Sequence, residues 1–158
     1  MASNKLIFID NLHNFADMTL SLFMSNSVFI NDCSNGTINI PIKINHVLIR
    51  NCKNLKINLS GCIAGIDIIN SKNNFITNKF DSEFLIDIYK SQSNIINQFK
   101  TEDNMIYIRS YFSSDNEFAL HDNERTFYRY IHPLNIFKPF FFGCLEKRSF
   151  IISSSQSF

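Results

Sequence analysis

The sequence predicts an all-β fold: a right-handed parallel β-helix, or solenoid, of about six coils with a C-terminal hairpin or cap. Three observations carry that prediction. "VFINDCSNGTINI" (28–40), "VLIRNCKNLKINL" (47–59), "IDIINSKNNFITN" (66–78) and "IDIYKSQSNIINQ" (86–98) align without an internal gap, at spacings of 19, 19 and 20 residues. Their apolar residues fall into columns: Val28, Val47, Ile66 and Ile86; Ile30, Ile49, Ile68 and Ile88; Ile38, Ile57, Ile76 and Ile96. Within each run the alternation has period two, which fits a strand and not a helix. A short repeat whose strands keep step buries its apolar side only against the coils above and below, and that is a solenoid. A leucine-rich repeat has a similar period but needs its leucine-asparagine consensus and usually a helical return. The returns here are short and polar.

The elements follow in order. "LIFIDNLHN" is a fainter first coil, with Ile7 and Ile9 in the columns and a corner at Leu12. The four clear coils turn at Cys33, Cys52, Ser71 and Ser91. "MIYIRSYF" reads as one more coil, with Met105 and Tyr107 in the columns and a corner at Ser110. "TFYRYI" (126–131) has the aromatic and β-branched content of a strand, with Tyr128 and Tyr130 on one face and Phe127, Arg129 and Ile131 on the other. Two regions result: a β-helix domain with a C-terminal strand segment over 1–132, and a Phe-rich tail over 133–158 without an assigned structure. Phe140, Phe141 and Phe142 are consecutive, so in a strand they cannot all face one core. They read either as a cap over the open end or as a contact between protomers.

Composition agrees with one globular domain. The 158 residues are 45% hydrophobic and 18% charged, ordinary for a core of this size. No apolar run is long enough to span a bilayer, and "MASNKLIFID" lacks a signal-peptide pattern, so a cytoplasmic location is expected. Isoleucine (24) and asparagine (21) are so abundant that base-composition bias is the simplest cause, which lowers the weight of any single asparagine. The Asn51/Asn70 and Asn35/Asn54/Asn73 columns read as turn formers and stacked amide ladders.

Sites of chemistry are sparse. Cys33 and Cys52 share a column while Cys62 and Cys144 stand alone, and no C-x-x-C pair is present. Small residues stacked at an inward corner explain the first pair, against a metal or redox role. His13, His46, His121 and His132 share no column or metal spacing, so no metal site and no cofactor are expected. No glycine-rich phosphate loop occurs. Asp67 and Asp87 share a column and could do acid/base work, yet like charges one rung apart are costly unless solvated. They read as surface charges, no catalytic residue is assigned, and the chain is not expected to be an enzyme.

Charge is uneven along the axis. From Lys43 to Lys79 six basic residues oppose one acidic, net +5, whereas from Phe80 to Glu124 three basic oppose nine acidic, net −6. Either this is a solvated surface or a basic face for an acidic partner, with Lys43, Arg50, Lys53, Lys56 and Lys72 as candidate contacts. Nucleic acid is not the expected partner, because exposed aromatics do not interleave with the basic stretch and the pI is about 7.7.

The corners "FINDCSN", "LIRNCKN" and "IINSKN" resemble the C-terminal β-helix shared by cyclase-associated protein and tubulin-folding cofactor C, over about residues 5–132. The cofactor C branch implies a GTPase-activating module acting on tubulin or a small GTPase through an R-x-H-x-C/T-x-N corner. Aligned on "LIRNCKN", that arginine position holds Leu48 and the histidine position holds Arg50, which argues against this branch. "GIDIINSKN" (65–73) is more similar to the cyclase-associated branch. That resemblance, in its compact protozoan-type form, implies binding of monomeric ADP-actin, promotion of nucleotide exchange and actin turnover, and no cofactor. It also implies a homodimer formed through a C-terminal hairpin, with Phe127, Tyr128, Arg129, Tyr130 and Ile131 as candidate dimerisation residues.

Overall fold

The computed structural model describes residues 5–21, 26–79, 84–99, 106–121, 126–132, 140–146 and 149–154. Among them there are strands and no helix. In chain order these are β1 (Leu6–Asp10), β2 (Met18–Thr19), β3 (Ser27–Asn31), β4 (Ser34–Ile40), β5 (Ile44–Arg50) and β6 (Lys53–Leu59). Then come β7 (Cys62–Ile69), β8 (Phe75–Asn78), β9 (Phe84–Tyr89), β10 (Ile95–Phe99), β11 (Ile106–Tyr111) and β12 (Asn116–His121). The last three are β13 (Thr126–His132), β14 (Phe140–Glu146) and β15 (Ser149–Ser154).

The odd strands β1 to β11 stack in sequence order as one parallel sheet, and the even strands β2 to β12 as a second. This is the solenoid expected from the repeat. Between β1 and β11 the chain makes about five turns, slightly fewer than the expected six coils. The columns are in register: Val28, Val47, Ile66 and Ile86 pair along the first sheet, as do Ile30, Ile49, Ile68 and Ile88. Ile38, Ile57, Ile76 and Ile96 do so along the second. All twelve are buried in one continuous core. Each such side chain gains about 1.5–3 kcal/mol on burial, so the columns supply the main cohesion between coils.

Each described corner between the sheets is built alike. Two residues three apart take left-handed φ: Asn11 and Asn14, Asp32 and Asn35, Asn51 and Asn54, Asn70 and Asn73, Lys90 and Ser93, Phe112 and Asp115. Asparagine and aspartate tolerate that conformation best, which explains their predominance. Their exposed amides also stack: Asn54 Nδ2 donates to Asn35 Oδ1 at 3.1 Å, and Asn70 Nδ2 to Asn51 Oδ1 at 2.6 Å. The asparagine columns are thus both turn formers and ladders.

The last corner is displaced from its expected place. Ser110 lies inside β11, opposite Ile88, and the corner falls at Ser113, whose Oγ accepts the Ser91 N–H at 3.0 Å. The cause is a three-residue slip in register. Ile108, not Met105, pairs with Ile86 and Ser110, not Tyr107, with Ile88, and a strand read an odd number of residues out of phase turns every side chain to the other face.

At the end of the solenoid the pairing turns antiparallel. β13 folds back on β12, while β14 adds to the free edge of β11 and β15 pairs with β14. The side chains of Phe127, Tyr128, Arg129, Tyr130 and Ile131, and those of Phe140–Phe142, lie outside the described residues.

Candidate functional site

Arg50 ends β5 and Lys53 begins β6, so the tight corner sets both at one edge of the solenoid. Lys72 bridges directly to Lys53 on the next coil, and Gln92 to Lys72 on the one after. The rungs are therefore about 4.8 Å apart. Lys90, which sequence reasoning left out, occupies the Asn51/Asn70 column at the same edge. The column alignment carried that signal, but Lys90 belongs to the acidic half of the chain by composition. Lys53, Lys72 and Lys90, with Asn51, Asn70 and Gln92, line an open groove of about 360 Å³. Among the described residues no carboxylate lies within ion-pair distance of these three lysines.

The remaining expected basic residues are spread. Arg50 reaches the outer face of the first sheet, where its guanidinium lies 4.9 Å above Phe29 and its Nε donates to Asn31 Oδ1 at 3.1 Å. Phe8 packs on Phe29 at 5.6 Å and is 65% exposed, so Arg50 borders an aromatic surface. Lys56 is exposed on β6, between Thr37 and Phe75 of the adjacent coils. Lys43 precedes β5, at the opposite corner and roughly 20 Å from Arg50 along the strand. Lys53 and Lys72 are brought together, Arg50 starts from the same corner but lies on the outer face of the first sheet, and Lys43 stands apart.

The acidic pair is resolved by separate partners. Asp67 and Asp87 are adjacent in register, but Asp67 Oδ2 lies 2.8 Å from His46 Nε2, and Asp87 takes both Nε and Nη2 of Arg109. Each carboxylate has its own cationic or hydrogen-bonding neighbour on the outer face, so the two do not share a proton site. His46 sits diagonally from Asp67, a neighbour relation that a column-by-column reading does not expose. Leu48 lies between Phe29 and Asp67 on the same face, half-buried.

The inward corner residues are buried and structural. The Cys52 thiol donates to the Arg50 carbonyl at 3.2 Å, as Ser71 Oγ does to the Ile69 carbonyl at 2.9 Å. Burial pushes the Cys52 and Cys62 thiols up to about 12 and raises that of Cys33 as well, so the reactive thiolate is disfavoured at neutral pH. The Cys144 side chain lies outside the described residues.

A family model, adenylate cyclase associated (CAP) C terminal, matches residues 2–83, the stretch from before β1 to just beyond β8. The regular coils continue past that match to β12. No curated protein matches the chain.

Proposed function

This chain belongs to the adenylate cyclase associated C-terminal family, and from that premise we propose that it binds monomeric actin, promotes exchange of ADP for nucleotide triphosphate on it, and supports actin turnover. The supporting observation is the basic corner formed by Arg50, Lys53 and Lys72, with Lys56 on the adjoining face, where no carboxylate among the described residues competes for the lysines. An acidic partner would be steered to such a surface, and the aromatic stripe of Phe8 and Phe29 beside Arg50 offers the apolar anchor that steering alone lacks. Lys43 sits apart and would act through long-range attraction rather than contact. Binding of this kind uses no catalytic side chain and no cofactor. The proposed role is a cytoplasmic one; among the described residues no helix is long and apolar enough to cross a membrane.

We also propose a homodimer made through the strand segment 126–131, with residues 1–132 as the working domain and 133–158 as an appended segment. The backbone antiparallel to β12 gives that segment a place at the end of the second sheet. Light scattering of the full chain against a chain ending at Asn123 tests it; two monomers with equal melting would remove the dimer.

The test of the main reading is release of a fluorescent nucleotide from ADP-actin. Stimulated release is expected, and charge reversal of Lys53 and Lys56 to glutamate should slow association and weaken its salt dependence. Absence of binding at low ionic strength would overturn the reading. The same preparation, incubated with tubulin or a small GTPase, should leave phosphate release at background, because Leu48 stands where a finger arginine would be needed.

A further inference from the structure

We propose that the groove at Lys53, Lys72 and Lys90 is a binding site for a diphosphoryl group, the chemistry shared by pyrophosphate, nucleoside polyphosphates and bisphosphorylated lipid headgroups. Lys53 and Lys72 are bridged on adjacent rungs, and stacked like charges repel unless something lies between them. The outer face of the first sheet shows how this protein treats the same problem elsewhere: stacked Asp67 and Asp87 receive His46 and Arg109 respectively. Lys53 and Lys72 receive no such partner among the described residues, and the Lys90 ammonium, 5.2 Å above the Tyr89 ring, meets no carboxylate among them. An external anion would supply the missing charge.

The walls suit phosphoryl oxygens. Three ammonium groups act as point charges that phosphate accepts, and Gln92 adds an amide donor. Asn51 and Asn70 make the groove polar, so an apolar ligand gains nothing there. The backbone is held in place: Lys53 N–H donates to the Cys33 carbonyl and Lys72 N–H to the Cys52 carbonyl, each at 3.0 Å. The lysine stems therefore start from fixed positions. A volume of about 360 Å³ admits two linked phosphoryl groups, whose negative charge matches three lysines better than one phosphate does. This inference does not depend on actin, and its test contains none.

The experiment is calorimetric titration of inorganic pyrophosphate into the full chain at low salt. One saturable site is expected. Lys72→Gln with Lys90→Gln should weaken it at least about tenfold, while Lys56→Gln, outside the groove, should change it less than about twofold. All three positions are exposed, so the variants should melt as the parent does. A parallel sedimentation arm uses phosphatidylcholine vesicles with and without a bisphosphorylated inositol lipid. Binding of pyrophosphate, of these vesicles, or of both supports the site and names the source. No binding in either arm overturns the proposal, as does equal binding of citrate or equal loss in Lys56→Gln.

Discussion

Replacing Asn94 by leucine tests whether the polar half of the interior is held by its amides or merely tolerates them. Asn94 is fully buried at the centre of a ladder. Its Oδ1 accepts the Asn74 N–H at 3.1 Å and Asn74 Nδ2 at 3.0 Å, and its Nδ2 donates to the Ser71 carbonyl at 3.0 Å. Leucine fits the column in the earlier coils, where Leu55 is buried in the equivalent place with its N–H on Asn74 Oδ1. In Asn94→Leu the Asn74 N–H loses its acceptor away from water, while the Ser71 carbonyl keeps the Gln92 N–H at 3.1 Å and Asn74 Nδ2 keeps the Cys52 carbonyl at 3.2 Å. The stranded N–H costs about 1–3 kcal/mol, and the two bonds lost from Asn94 Nδ2, to the Ser71 carbonyl and to Asn116 Oδ1, about 0.5–1.5 kcal/mol each. The added apolar burial returns about 1.5 kcal/mol. The expected net loss is about 0.5–4.5 kcal/mol, centred near 2.5, read from urea unfolding followed by circular dichroism. Asn58→Ala, which removes a half-buried amide bond to Asn39, should lose about 0.5–1 kcal/mol. If Asn94→Leu costs no more than Asn58→Ala, the ladder is ornament and the reasoning fails.

Gly65→Ala should be strongly destabilising, by about 2–4 kcal/mol in the same assay, since Gly65 has φ of +147° and a Cβ there would meet the Leu85 carbonyl oxygen at 2.4 Å. Ile49→Asn should cost several kcal/mol by burying an unpaired amide in a fully enclosed column, while Lys53→Asn is nearly neutral; equal thermal midpoints would contradict the register. Stability should fall as pH rises above 9.0, because the unfolded chain releases its Cys52 and Cys62 protons there while the folded chain holds them to about 12. Each thiol contributes a slope of about 1.4 kcal/mol per pH unit, so Cys62→Ala should flatten the alkaline limb; an unchanged slope would refute the burial argument.

The solenoid was legible because its apolar columns repeat with one period and its strands alternate with another. Where one of those periods blurred, the reading slipped: in "MIYIRSYFSSD" tyrosines and serines obscure the alternation, and the corner was placed at Ser110 instead of Ser113. The exposed amide ladders followed from aligned asparagines. The buried ladder of Asn74, Asn94 and Asn116 is not legible: Asn74 and Asn94 align, but Asn116 falls out of register with the corner read at Ser110, and a buried asparagine is paid for by bonds to backbone groups that sequence does not display. The basic site was half visible. Lys53 and Lys72 follow from column position; Lys90 also holds its place in the Asn51/Asn70 column but lies in an acidic stretch of chain, and Lys43 is a neighbour of these residues along the chain and not in space. The pairing of His46 with Asp67 runs diagonally across rungs and left no trace in any single column.

The change of corner chemistry between Cys52 and Ser71 marks one boundary in the stack of coils. Isoleucine columns are interchangeable, so a chain held by them alone could shift by a whole coil and find equivalent contacts. Corner hydroxyls and amides do not permit that substitution. Cys52 N–H and Leu55 N–H require the oxygens of Ser71 and Asn74 on the coil that follows, and the earlier coils present Cys33 and Gly36 at those positions instead. A coil docked one step early would strand those donors. Because Asn74 Oδ1 is fixed by the Leu55 N–H, the amides beyond it can point only one way, and the ladder runs with a single polarity from the middle coils to the last.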